Sequence, residues 1–95
     1  MGMKEAYEEK AEAQLKELNA QIELLKAKAD KEKAQAEIEY YKQLETLGTK
    51  QETVQERLQE LRGAGDEAWE DLKGGIDTAL SDLRDAVASA VSRFE

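Results

Sequence analysis

Apolar residues recur every three or four positions along the first part of the chain, which is the spacing of one face of an α-helix. Between residues 15 and 29 the intervals alternate between three and four, as at the a and d positions of a coiled coil. The positions are Leu15, Leu18, Ile22, Leu25 and Ala29. This seam predicts a helix that packs along its length against a neighbouring helix.

The seam changes its period in the middle of the chain. Between Ile22 and Leu44 the best apolar path takes two steps of 11 residues, a period that straightens or reverses a supercoil locally. Mostly Ala and the stem of Lys33 fill this path, so residues 27–36 should form the weakest part of the helix. Heptad spacing then resumes through Leu44, Leu47, Gln51, Val54, Leu58 and Leu61. The pattern predicts one long coiled-coil helix over residues 1–62.

Glycines mark the candidate breaks. Residues 63–65 contain two glycines and precede Asp66, so we expect a turn there, with a C′ glycine before it and Asp66 as the N-cap of the next helix. A competing break lies at Gly48, because residues 49–52 match a capping box. The heptad phase runs through Gly48 without a skip, and one glycine inside a helix costs only about 1 kcal/mol. Both alternatives remain open at this point.

The last part of the chain, residues 66–95, predicts a shorter amphipathic helix with a candidate hinge at residues 74–75, where two glycines adjoin. Its apolar face is wider than a narrow coiled-coil seam and consists of Ile76, Ala79, Leu80, Leu83, Val87, Ala90, Val91 and Phe94. Either the first helix of the same chain or a partner must cover this face. The predicted fold is all-α: a helical hairpin or bent rod.

The two predicted helices differ in length, about 90 Å against about 43 Å at 1.5 Å per residue. If the second helix folds back at residues 63–65, it covers about half of the first and leaves Leu15 to Leu25 bare. We therefore expect that half to pair with a second copy, giving a homo-oligomer. A second stripe at heptad spacing implies a further neighbour, unless its alanines only reflect helix propensity. It comprises Ala20, Leu24, Ala27, Ala34, Ile38 and Tyr41.

The composition of the chain argues against most catalytic and metal-binding functions. The chain has no His and no Cys, so we expect no metal, no cofactor and no catalytic site. The acids at 66, 67, 70 and 71 suit the positive end of a helix better than a cation. A net charge of −8 argues against nucleic acid. No apolar run is long enough for a membrane span or a signal peptide, so a cytoplasmic location is expected.

The side chains that we expect to make the helix–helix or partner interactions share the two main apolar faces. They are Leu15, Leu18, Ile22, Leu25, Trp69, Leu72, Ile76, Leu80, Leu83, Val87 and Phe94. Trp69 has two interpretations, since a lone Trp suits both a packed core and an interface hot spot. Core packing against the first helix is the preferred one.

Three segments of the chain carry a family resemblance. Residues 26–30 (KAKAD), 37–42 (EIEYYK) and above all 64–77 (AGDEAWEDLKGGID) resemble a family of small bacterial coiled-coil proteins described as a stress-response family of cyanobacterial type. The resemblance covers nearly the whole chain and is most specific around Trp69. It implies an intracellular helical protein associated with stress physiology, and no catalytic residue carries over.

The function expected from these observations is that of a non-enzymatic structural or interaction protein, which associates with itself and with an unknown protein partner. An alternative is peripheral binding to a membrane surface through the C-terminal amphipathic helix, because an 11-residue period also suits a flat surface. The acidic residues of that helix disfavour anionic lipid. A third alternative, an acidic decoy of a basic partner, rests on net charge alone.

Overall fold

The computed structural model describes the backbone of residues 2–31 and 34–94, and the side chains of residues 2–31 and 37–93. These residues form three α-helices: α1 (Met3–Ala29), α2 (Ala34–Arg62) and α3 (Trp69–Phe94). Within the described ranges the chain contains no β-strand. The predicted all-α fold class is confirmed.

The prediction of one continuous helix over residues 1–62 is wrong. α1 ends at Ala29, where Asp30 and Lys31 form a turn and donate backbone hydrogen bonds to Lys26 and Lys28. The break falls in the stretch whose seam buries least, so an extended helix would gain little there. Folding back instead lets the apolar faces of both halves cover each other. Lys26 and Lys28 in the last turn also suit the negative end of the helix.

The helices run up, down and up. Gln51 in α2 donates a 2.6 Å hydrogen bond to Asn19 in α1, and Arg62 at the end of α2 reaches Glu8 near the start of α1, so these helices are antiparallel. Tyr7 meets Asp77 near the start of α3, which makes α3 parallel to α1. Each helix contacts the other two, and the molecule measures 51 × 18 × 18 Å. The architecture is a three-helix bundle.

The bundle core is built from the predicted seams. Leu15, Leu18, Ile22 and Leu25, which were expected to be bare, are buried against α2 and α3. The expectation that they pair in trans is therefore wrong, because the third helix covers what a two-helix hairpin would have exposed. Most of the apolar face of α3, from Ile76 to Ala90, is likewise buried against the same chain. The buried side chains from the other two helices include Leu44, Leu47, Val54, Leu58, Leu61, Trp69, Ile76, Leu80, Leu83, Val87 and Ala90.

The glycines behave differently from one another. Residues 63–65 connect α2 to α3, but α3 begins at Trp69, after a turn over residues 66–68 in which Trp69 N–H donates to the Gly65 carbonyl. No glycine in residues 2–31 or 34–94 has a positive φ, so Gly63 does not form the left-handed cap. Gly48 lies inside α2, and the helix is unbroken there.

α3 passes through residues 74 and 75 without a hinge. A Cβ on Gly75 would lie 2.9 Å from Nη1 of Arg57, so a larger residue there would displace the end of that flexible side chain. A Cβ on Gly74 would meet nothing within 4 Å. The two glycines therefore differ in whether a side chain of α2 lies against them.

Candidate interaction surface

The structure places most of the predicted interaction residues inside the bundle. Nine of them are buried and contact the chain's own helices: Leu15, Leu18, Ile22, Leu25, Trp69, Ile76, Leu80, Leu83 and Val87. Leu72 is partly buried against the same core, and the side chain of Phe94 lies outside the described residues. These side chains hold the fold together, so an external binding surface has to be sought elsewhere.

The large apolar side chains that remain exposed come from the second stripe. Leu24 is 69% exposed, Ile38 57% and Tyr41 44%, whereas most of the described large side chains of the main seams are buried. Met3, at the start of α1, is also exposed. The heptad spacing of this stripe predicted a further neighbour, and on either interpretation of its alanines Leu24, Ile38 and Tyr41 needed an explanation. The described helices of the chain leave these three side chains exposed.

Leu24 forms the edge of an apolar groove between α1 and α3, hereafter the α1/α3 groove. Leu25 and Val87 form its buried floor, and Ala88 and Val91 form the α3 wall. Leu24 stands at the rim because neighbouring helical positions point about 100° apart, so Leu25 takes the core position and Leu24 does not. The small side chain of Ala88 leaves space opposite it. The groove has a volume of about 530 Å³.

The rim of the α1/α3 groove is basic. Its charged lining residues are Lys28 and Arg84, and Gln21 completes the polar part of the lining. Neither cation forms an ion pair with any residue in the described part of the chain. Glu17 lines an adjacent, smaller depression that also includes Arg84. In a chain with a net charge of −8, two cations beside an apolar groove make a local field that favours an acidic ligand.

Ile38 and Tyr41 form a second exposed apolar surface, hereafter the acid-flanked patch. They lie three positions apart on α2, so both project from one side of the helix. The Tyr41 hydroxyl donates a hydrogen bond to the Asp30 carboxylate at the end of α1. This hydrogen bond is the main cause that raises the pKa of Tyr41, and the negative charges of Asp30 and Glu37 add to it. The field at this patch is therefore negative.

Two further charged residues lie on the same side of α2, each four positions after one of the two anchors. Glu45 follows Tyr41 and adds to the acids, while Lys42 follows Ile38 and is a cation. The charged residues on this side are then Asp30, Glu37 and Glu45 against Lys42, which is a net charge of −2 from the formal charges. The patch and the α1/α3 groove thus carry opposite local charges.

Trp69 is accounted for within the chain. Its ring lies 6.0 Å from that of Tyr7, centroid to centroid, at an angle of 38°. The Tyr7 hydroxyl donates to Oδ1 of Asp77 at 2.6 Å, and the Lys73 ammonium lies 5.5 Å from the centre of the Tyr7 ring. Burial, followed by the bond to Asp77, raises the pKa of Tyr7. The core interpretation of Trp69 is confirmed, since only 8% of the residue is exposed.

The structure offers no other chemical site among the residues it describes. In residues 2–31 and 34–94, no three or more Asp or Glu side chains come close enough to hold a metal ion. The acids at 66, 67, 70 and 71 are exposed and make no such group. Likewise, none of the three described helices has an apolar stretch sufficient to cross a bilayer.

Comparison of the chain with known protein families, with curated protein sequences and with solved structures found no match. The resemblance to a bacterial stress-response family therefore stays a prediction from the three segments that carry it. The function therefore has to be inferred from the exposed surfaces of the bundle.

Proposed function

We propose that this chain is a non-catalytic interaction module that binds an amphipathic helix of a partner protein in the α1/α3 groove. The observation that carries the proposal is the exposure of Leu24 beside an apolar groove, in a bundle that buries most of the described large side chains of its main seams. An exposed apolar groove with a polar rim is a common form of protein-binding surface. Its setting in stress physiology is proposed from the family resemblance alone, and its cytoplasmic location is part of the same proposal.

The chemistry of the groove specifies the partner helix. Apolar anchors spaced three or four positions apart would enter between Leu24 and Val91 and cover the floor. Acidic residues beside those anchors would approach Lys28 and Arg84, which gives the contact its orientation more than its affinity. A helix with basic flanks would be rejected by the same two cations.

The lipid alternative is less well supported by this arrangement. The face of α3 that would lie on a membrane is the face that packs on α1 and α2, with Leu83 and Val87 buried. Binding lipid through it would first require the bundle to open and lose that burial. The exposed side of α3 carries Asp77, Asp82 and Asp85, which anionic lipid repels.

A photoreactive amino acid at position 88 tests the proposal. Ala88 lines the groove and is exposed, while Glu56 is exposed on α2 and serves as the matched control position. In the cell, we expect position 88 to form cross-links to a partner protein. Position 56 should form no cross-link to the same partner. The cross-linked partner residue, mapped by mass spectrometry, should be apolar, helical and close to Asp or Glu.

A second experiment introduces Leu24→Glu into the chain that carries the photoreactive amino acid at position 88. Because Leu24 is exposed, the helical circular dichroism should be unchanged, while a charge at the groove edge should remove the adducts from position 88. Adducts that persist in this variant, or no adduct from position 88 in the parent chain, would refute the groove as the binding surface.

A further inference from the structure

The α1/α3 groove and the acid-flanked patch are complementary in apolar chemistry and in charge. We propose that the helix bound by the α1/α3 groove is α2 of a second copy of this chain, with Ile38 and Tyr41 of the acid-flanked patch as the anchors. This inference rests on the proposed function and names its partner. Copies would then associate head to tail, each giving its patch to one neighbour and its groove to another.

The two surfaces match in apolar chemistry. Ile38 and Tyr41 are three positions apart on one helix, which is the anchor spacing that a helix-binding groove accepts. Both are exposed, and the hydrogen bond from the Tyr41 hydroxyl to Asp30 leaves part of the Tyr41 side chain accessible. The groove offers an apolar floor and wall with room for such anchors, in a volume of about 530 Å³. Burying exposed apolar area on both sides favours association.

The two surfaces also match in charge. Lys28 and Arg84 line the groove, and the acids Glu37 and Glu45 flank the anchors on α2, where they outnumber Lys42. Apposition of these groups pairs a basic rim with an acidic one, which selects the register of the contact. A groove-to-groove contact would instead bring the same two cations of each copy toward each other. Charge therefore favours groove against patch over groove against groove.

The positions of the surfaces exclude contact within one copy. Leu24 faces the α3 side of α1, because it lines the groove with Val87 and Val91. Tyr41 lies on the α2 side of α1, where it is bonded to Asp30. The helix α1 stands between them, so the patch of one copy can enter only the groove of another. Such a contact is heterologous and leaves one groove and one patch free at the ends, so the assembly can grow or close into a ring.

Mixing two complementary variants tests the inference. Leu24→Glu damages the groove and leaves the patch, while Ile38→Glu damages the patch and leaves the groove. Both residues are exposed, so each variant should keep the helical circular dichroism of the parent chain. Light scattering after size exclusion should show the parent chain growing beyond a dimer as concentration rises. Each variant alone should be monomeric, with association weakened at least about 100-fold.

An equimolar mixture of the two variants should form a 1:1 dimer and nothing larger. The intact patch of Leu24→Glu fits the intact groove of Ile38→Glu, while the remaining groove and patch both carry a Glu and repel. Two results would overturn the inference: association of Ile38→Glu as strong as that of the parent, or a mixture that remains monomeric.

A parent chain that is monomeric at concentrations up to about 1 mM would also overturn it, since even a weak specific contact is detectable there. The cross-linking experiment separates this failure from failure of the proposed function. Adducts from position 88 to another protein, with a monomeric parent chain, would keep the groove as a binding surface and exclude the second copy as its occupant.

Discussion

The two ends of the bundle differ in how far their large side chains are covered. At the end where α2 passes into α3, hereafter the closed end, Trp69 is buried against Tyr7. At the end where α1 passes into α2, hereafter the open end, Leu24, Ile38 and Tyr41 are exposed. Both ends have a buried core, which includes Leu25, Leu44 and Val87 at the open end, but only at the open end do three large apolar side chains in addition to that core remain in contact with water. Met3 is the exposed apolar side chain of the closed end.

The connections at the two ends differ in the same sense. At the closed end the Lys4 ammonium donates to the Ala64 carbonyl at 2.7 Å, and Arg62 pairs with Glu8 and Glu12. At the open end the Tyr41 hydroxyl bonds to Asp30, beside the two proposed binding surfaces. Substitutions of the exposed side chains at the open end should therefore affect the proposed binding more than the stability of the bundle.

The largest effect is expected in the middle of the bundle, which both ends require. Leu83 is fully buried in α3, so Leu83→Asp removes apolar burial and places a charge in the core. We expect a loss of at least about 4 kcal/mol, enough to unfold a small domain. Circular dichroism should show lost helicity, while Ser81→Asp on the exposed side of the same helix should remain folded. A folded Leu83→Asp variant would contradict the core assignment of α3.

A pair of truncations tests the contrast between the ends directly. Trp69→Ala at the closed end should lower the free energy of unfolding by about 3 kcal/mol, because a large buried side chain leaves a cavity. Leu24→Ala at the open end should change it by less than about 0.5 kcal/mol, since the side chain is mostly exposed. Urea denaturation measures both values. Similar costs at the two positions would mean that the ends do not differ as described.

Much of this core could be predicted from spacing alone, because a and d positions must be buried whichever helix covers them. Leu15, Ile22 and Leu83 are core residues in the structure. The break after Ala29 could not be predicted with equal ease, because no glycine or proline marks it. A seam shows that a helix needs a neighbour, and it does not say whether that neighbour is another chain or the same chain folded back.

The candidate surface was visible in the sequence only in part. The second stripe contains Leu24, Ile38 and Tyr41, and its spacing showed that they needed a separate explanation. The groove itself depends on the register between α1 and α3, which brings Leu24 opposite Ala88 and Val91. That register cannot be derived from the heptad spacing within each helix, because the turns and the third helix set it.

The glycine pair of α3 gives a smaller effect of opposite sign. Gly74→Ala should stabilise the protein by about 1 kcal/mol, because a Cβ there meets nothing and alanine is the better helix former. Gly75→Ala should gain less, since its Cβ would require the guanidinium of Arg57 to move. The midpoints of urea denaturation would rank the two variants. A larger gain for Gly75→Ala would show that the guanidinium of Arg57 does not lie against this glycine in solution.

The smallest effect concerns Tyr7 at the closed end and depends on pH. Tyr7→Phe removes the hydrogen bond to Asp77 and should cost about 0.5 kcal/mol near neutral pH. Because the folded state raises the pKa of Tyr7 above its ordinary value of 10.0, the folded protein holds the phenolic proton more tightly than the unfolded chain. The stabilisation is therefore complete below pH 10 and declines as pH rises above it.

Urea denaturation of the parent chain and of Tyr7→Phe at several pH values should show the difference in stability between them shrinking above pH 10. Tyr41→Phe at the open end is the matched control, and its cost near neutral pH should be smaller because that hydroxyl is in contact with water. A difference between parent and Tyr7→Phe that stays constant from pH 8 to pH 11 would show that the Tyr7 hydroxyl is not engaged with Asp77 in solution.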